Sequence, residues 1–136
     1  MSIVEALLDN AYQDSQLLEG NDHKGDIFSV SRDVDFLLYA PDQDKGELVA
    51  NFINDNCYGE ASYYAYEDKH CIKVVIHMPT TQNILNSVSG LMTCIAKIFD
   101  CEYDGWGCVL QTHNKVRHAR FAGLRKLRLL RPCARR

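Results

Sequence analysis

Histidine and cysteine are the residue types in this chain that could bind a metal or act as an acid, a base or a nucleophile. The six cysteines include no C-x-x-C pair, so neither a zinc ribbon nor a thioredoxin-like redox site is indicated. Among the five histidines, His70 and His77 with Cys71 come closest to a ligand set, but adjacent strand residues point to opposite faces. We therefore expect free thiols and no metal or cofactor.

Two aspartates, Asp33 and Asp35, lie two residues apart in a strand-like segment and so share one face of it. A pair of carboxylates could carry out acid–base chemistry, but the solvated outer face of a sheet explains them more simply. The chain contains no nucleotide-binding loop, no G-x-S-x-G pattern and no H-E-x-x-H pattern. Because no nucleophile–base pair is visible either, we expect that the protein is not an enzyme.

Four tyrosines between residues 58 and 66 suggest an alternative, an RNA-binding sheet that stacks bases on aromatic side chains. Such sheets combine aromatic with basic side chains on their inner strands, and that combination is absent here. Tyrosine is also a good strand former. We therefore interpret these tyrosines as strand residues.

Charge is distributed unevenly along the chain. Residues 1–111 contain all 18 acidic residues and six basic ones, whereas residues 112–136 contain nine Lys and Arg and no acid. The acidic part is expected to repel nucleic acid and to favour a basic protein partner. Two interpretations of the basic tail, residues 112–136, stay open. It is either an arm that binds RNA, anionic lipid or the acidic part itself, or a stretch outside the evolved domain, such as the product of a shifted reading frame.

Hydrophobic periodicity predicts three helices and four strands. Capping-box patterns begin at Ser2 and at Asp44, and the first helix is expected to end near Gly20. The third helix is predicted from an apolar stripe formed by Ile84, Val88, Leu91, Cys94 or Ile95, and Ile98. The predicted helices cover residues 3–18, 44–53 and 84–98, and the predicted strands cover residues 33–39, 58–66, 72–78 and 102–110.

The resulting order is a helix followed by β-α-β-β-α-β, which is the order of the ferredoxin-like sandwich. We predict an α+β fold with an antiparallel four-stranded sheet, helices on one of its faces and an extra N-terminal helix. Residues 1–111 are expected to form one domain. No apolar run approaches the roughly 20 residues that span a bilayer. The N-terminus does not resemble a signal peptide, so we expect a cytoplasmic location.

The last predicted strand contains the only tryptophan, Trp106, between two glycines. Glycine weakens a strand and indicates a bulge or a close backbone approach. Trp106 could project between Gly105 and Gly107 and anchor a partner, or it could pack into the core while the glycines relieve crowding. The pattern alone does not favour either position.

This segment, Glu102-Tyr103-Asp104-Gly105-Trp106-Gly107 after Ile98-Phe99-Asp100, resembles the terminal Y-D-G-W-G motif of the regulator of ribonuclease activity B family. Two earlier segments are similar to the first half of that family. They are Arg32-Asp33-Val34-Asp35-Phe36, and the run from Phe52 to Asn56 that is followed by Tyr58-Gly59. The resemblance covers roughly residues 1–111.

The resemblance implies a bacterial regulator that binds ribonuclease E, largely through the non-catalytic scaffold region of that enzyme, and lowers its activity on RNA. We expect the partner-binding residues to be Tyr103, Asp104, Gly105, Trp106 and Gly107, together with Asp33 and Asp35. Two alternatives stay open: an RNA-binding module that acts through the 112–136 tail, and a small-molecule sensor or interaction domain on the same fold. We expect no membrane partner.

Overall fold

The computed structural model describes residues 1–113, and the expectations for the remainder of the basic tail lie outside the described residues. Three helices and four strands are found, in the predicted order. The helices are α1 (Ile3–His23), α2 (Gln43–Asp55) and α3 (Gln82–Ile98). The strands are β1 (Arg32–Ala40), β2 (Glu60–Tyr66), β3 (Lys69–Met78) and β4 (Glu102–Cys108).

The four strands form one sheet in the order β2-β3-β1-β4, and each strand is antiparallel to its neighbours. Strand β3 lies between β1 and β2, and β1 lies between β3 and β4. Each β-α-β unit is thus split by a strand of the other, as in the ferredoxin-like sandwich. The predicted α+β fold with an extra N-terminal helix is confirmed.

The core lies between the sheet and the helices. Strand β1 alternates strictly, so that Val34, Phe36 and Leu38 are fully buried on the helix side while Asp33 and Asp35 are exposed on the other. Burying these side chains supplies the main stabilisation of the sheet, at roughly 1.5–3 kcal/mol each. Helices α2 and α3 contribute the facing side chains, among them Val49, Ile53, Leu85 and Met92.

Helix α1 is longer than predicted, because Gly20 lies inside it and the helix continues to His23. The chain leaves the helix at Lys24, and Gly25 adopts the left-handed conformation, with φ +84°. Helix α2 also begins earlier than the expected Asp44. Its cap is Asp42, whose carboxylate accepts from the Lys45 amide at 2.7 Å. The predicted end of α1 and the predicted start of α2 were both wrong for the same reason, because each position offers two residues that could cap the helix.

The predicted apolar stripe of α3 is confirmed in its middle, where Ile95 is buried and Val88 and Leu91 pack against the core, and is wrong at both ends. Ile84 and Ile98 are 37% and 70% exposed. The buried face carries Leu85, Ser89, Met92, Thr93, Ile95 and Ala96. Helix α3 packs against both the sheet and α1, and the Thr93 hydroxyl accepts from Asn10 across the helix interface at 2.8 Å. Its buried face therefore includes hydroxyl side chains, which a search for apolar spacing misses.

Strand β2 begins at Glu60, later than the predicted Tyr58, because the backbone at Cys57 is left-handed, with φ 57°. The expected free thiols are found at Cys71, Cys94, Cys101 and Cys108. At Cys57 the expectation does not hold, because this residue is disulfide-bonded. Within residues 1–113 no three His, Cys, Asp or Glu side chains are grouped as a metal site. No helix in this part is both long and apolar enough to cross a bilayer.

A buried ion pair holds the segment after β4 against the loop that leads into β1. The Arg32 guanidinium donates to Asp26 at 2.5 Å and to the Ile27 carbonyl at 2.6 Å. The same carboxylate oxygen of Asp26 accepts from the Gln111 amide at 2.8 Å, and the Gln111 carbonyl accepts from the Ile27 amide at 2.8 Å. Gln111 is therefore fixed to the folded unit.

Candidate protein-binding site

Strand β4 contains a bulge in the middle of the predicted binding motif. Leu37 pairs with Gly105 and Leu38 pairs with Tyr103, so Asp104 is an extra residue with no partner on β1. Gly105 adopts φ +100°, a conformation that side chains disfavour and glycine tolerates. The bulge explains the glycine that the sequence shows at this point. It also changes which face each motif residue occupies.

Tyr103 and Trp106 lie on the helix side of the sheet. The Trp106 indole nitrogen donates to a carboxylate oxygen of Asp14 on α1 at 2.9 Å, and the Tyr103 hydroxyl hydrogen-bonds Ser89 on α3 at 2.9 Å. Both aromatic rings are half-buried against the core. Of the two positions left open for Trp106, the structure shows the one against the core, where it joins β4 to α1.

Asp14 is a buried carboxylate, only 4% exposed, and one of its oxygens has no hydrogen-bond partner. Burial raises the pKa of Asp14, while the hydrogen bonds from Ser89 and Trp106 oppose that shift. Burial also raises the pKa of the Tyr103 hydroxyl far above its usual range. Asp14 was not predicted as a functional residue, because a single aspartate at a helical position carries no pattern that distinguishes it from a surface residue.

The opposite side of the sheet, here called the outer face, is not covered by any of the three helices. Asp33 and Asp35 lie there with the backbones of Gly105 and Gly107, which pair with β1 on this side. Asp104 also reaches it, because its carboxylate accepts from Tyr39 at 3.3 Å. The charged residues of the outer face are five acids, Asp33, Asp35, Glu60, Glu102 and Asp104, and two lysines, Lys69 and Lys73.

Two of these acids form cross-strand pairs with β3. A carboxylate oxygen of Asp33 lies 2.9 Å from His77 Nδ1, and one of Asp35 lies 3.7 Å from Lys73 Nζ. The four side chains are between 46% and 59% exposed. Exposed pairs of this kind contribute little to stability, roughly 0–1 kcal/mol. The Asp33 and Asp35 carboxylates can therefore bind a cationic partner with only a small loss of stability from the broken pairs.

Tyrosines occupy one end of the outer face. Tyr39, Tyr64 and Tyr66 all point outward there, beside Lys69. Tyr63 points inward instead, where its hydroxyl hydrogen-bonds His70 at 2.7 Å. Tyr39 was not among the predicted partner-binding residues. Its alternation with Asp33 and Asp35 along β1 nevertheless places it on the same face of the sheet.

The outer face therefore has the composition expected of a surface that binds a basic protein segment. Carboxylates supply the charge complementarity, and tyrosines are enriched at protein interfaces. A nucleic-acid interface would need the opposite charge. The fold is ferredoxin-like, and this face is its candidate protein-binding site.

The sequence profile of the family described as Regulator of ribonuclease activity B matches residues 11–108. The match covers most of the chain and every element from the middle of α1 to the end of β4. The chain belongs to this family. A search of curated proteins found no match.

Proposed function

We propose that this protein binds a basic segment of ribonuclease E, or of a related ribonuclease, through the outer face of its sheet and lowers the RNA-cleaving activity of that enzyme. Membership of a family of ribonuclease regulators gives the class of partner. The observation that carries the proposal is the sheet face that α1, α2 and α3 leave open, with five acids against two lysines among the described residues. We further propose a non-catalytic role in the bacterial cytoplasm.

Five of the seven predicted partner-binding residues fit this proposal directly. Asp33, Asp35 and Asp104 would supply carboxylates, while Gly105 and Gly107 leave the backbone of β4 accessible between them. Tyr103 and Trp106 would act indirectly, since they fix β4 to the two helices behind it. We also propose that residues 1–111 suffice for binding, because Gln111 is the last residue held by the buried ion pair described above.

The test is an inhibition and binding assay with purified ribonuclease E and with its isolated scaffold region. The variant Asp33→Asn/Asp35→Asn removes two charges from the outer face without adding bulk. Glu47→Gln/Asp55→Asn is the matched control, because it removes two exposed charges from α2 on the other side. We expect about a tenfold loss of affinity for the first variant, on the order of 1.4 kcal/mol, and little change for the control.

Three results would contradict the proposal. Equal loss of affinity in both double variants would show a general charge effect with no specific face. Binding that disappears when residues 112–136 are deleted would assign the interaction to the tail. RNA cleavage by the regulator alone, lost on a single substitution, would show that the protein is itself an enzyme.

A further inference from the structure

The face of the Tyr39 ring already has a cation on it. Lys69 Nζ lies 4.7 Å from the ring centroid, within the range of a cation–π interaction. The hydroxyl of the same tyrosine donates to Asp104 at 3.3 Å. An aromatic face and a carboxylate are thus joined in one place, and the strand register allows both to be approached from the outer face.

The backbone explains how these groups come together. Tyr39 pairs with Glu102 at the end of β1, and the bulge inserts Asp104 just beyond, where its side chain reaches the tyrosine hydroxyl. Lys69 begins β3 immediately after a tight turn in which Glu67 and Asp68 have positive φ. The lysine therefore approaches from the neighbouring strand, on a long flexible side chain.

We propose that the Tyr39 ring and the Asp104 carboxylate form a binding seat for the guanidinium of an arginine in the basic partner, and that Lys69 occupies this seat in the free protein. This inference rests on the proposed function, which it makes more specific: the partner would be recognised by arginine rather than by positive charge in general. The Lys69 ammonium lies over the ring, where the guanidinium would stack while its N–H groups reach Asp104.

Arginine fits this pair of groups better than lysine does. A guanidinium is planar and weakly hydrated, so it can stack on an aromatic ring while its N–H groups donate to a carboxylate. An ammonium is compact and strongly hydrated, and it loses more on leaving water. An arginine from a partner can therefore displace Lys69, and the freed ammonium returns to solvent.

The experiment compares two synthetic peptides of equal length and charge, in which Gly alternates with Arg in one and with Lys in the other. Binding of each to the whole protein is measured by calorimetry at low salt. We expect the Arg peptide to bind about two- to fivefold more tightly, because a planar guanidinium can stack on the ring and donate to the carboxylate at the same time, whereas an ammonium is more strongly hydrated. The ratio of the two affinities is the quantity of interest, because general electrostatics cancels in it.

Variants of the protein then identify the residues that produce the preference for arginine. Tyr39→Leu and Asp104→Asn are each expected to reduce the ratio towards one, whereas Tyr39→Phe, which keeps the ring, retains most of it. Lys69→Met removes the cation that both peptides must displace, so it is expected to tighten the binding of both and to leave their ratio unchanged. Lys73→Met is its matched control, since it loses the same charge on the same face beside Asp35 and should tighten binding less.

Equal affinity for the two peptides, or no measurable binding of either, would overturn the proposal. A preference that survives both Tyr39→Leu and Asp104→Asn would overturn it as well. Because these measurements contain no ribonuclease, a failure of the arginine seat can be distinguished from a failure of the proposed function. A clear arginine preference without binding of ribonuclease E would support the arginine seat and refute ribonuclease E as the partner. Binding of ribonuclease E without an arginine preference would support the partner and refute the seat.

Discussion

Replacement of Trp106 tests whether this residue stabilises the fold or contacts the partner. Complete burial of a tryptophan makes its truncation to alanine cost about 3–5 kcal/mol. Trp106 is half-buried, so the packing loss in Trp106→Ala is about 2 kcal/mol. The variant also removes the donor to the buried Asp14 carboxylate, at a further cost of about 1–3 kcal/mol. We expect a total of roughly 4 kcal/mol, a large part of the stability of a small domain.

The assay is urea denaturation followed by circular dichroism. Trp106→Phe keeps most of the ring and loses only the hydrogen bond, so it should cost about 1–3 kcal/mol. The same variant should stay folded and keep its affinity for the basic partner, because the ring lies behind the sheet. Trp106→Ala with less than about 1 kcal/mol of destabilisation would refute the packing argument. Loss of binding by a stably folded Trp106→Phe would mean that the indole contacts the partner.

Arg32→Met leaves the buried Asp26 carboxylate without its cation, and urea melts should show a loss of about 3–5 kcal/mol. Gly105→Ala is strained at φ +100°, so it should lower stability by about 1 kcal/mol while Gly107→Ala, where nothing lies within 4 Å, changes it little. Deletion of residues 112–136 should leave the melting temperature nearly unchanged when both proteins are measured with a reducing agent, which removes the Cys57 disulfide from the comparison; an insoluble product would show that the tail packs as part of the fold. The free energy of unfolding should fall as pH rises from 3.8 through the raised pKa of Asp14 in the native state, because the native state binds the Asp14 proton more tightly than the unfolded state does. Asp14→Asn should abolish this part of the pH dependence. Metal analysis of the purified protein should find no stoichiometric zinc.

The order of the elements was predictable because each has a simple signal. Val34, Phe36 and Leu38 alternate with polar residues, which identifies a strand with one covered face. The positions within helices were less predictable. In α3 the sheet-facing residues include Ser89, whose hydroxyl is satisfied by Tyr103 on β4. That hydrogen bond forms only in the folded molecule, so apolar spacing selected the neighbouring, partly exposed stripe.

The segment with the predicted binding motif lies on the last strand, as expected, but the division of its residues between two faces could not be predicted. Strict alternation from Tyr103 would put Gly105 on the same face and Trp106 on the opposite one. The bulge adds one residue, so Tyr103 and Trp106 instead share the helix side. A glycine indicates that a bulge is possible, but its exact position depends on the pairing with Leu37 and Leu38. Asp14, the hydrogen-bond partner of Trp106, is 92 residues away in the chain.

The bulge connects the stability of this domain to its proposed binding chemistry. A regular strand would place residues 103 and 106 on opposite faces, and only one of the two aromatic rings could pack against the helices. With the extra residue, both rings pack behind the sheet and join β4 to α1 and α3. The same insertion leaves Asp104 outside, next to Tyr39. The bulge in β4 thus stabilises the domain through Trp106 and places Asp104 as the carboxylate of the proposed arginine seat. This explains why Gly105 lies between Asp104 and Trp106, because glycine tolerates φ +100°.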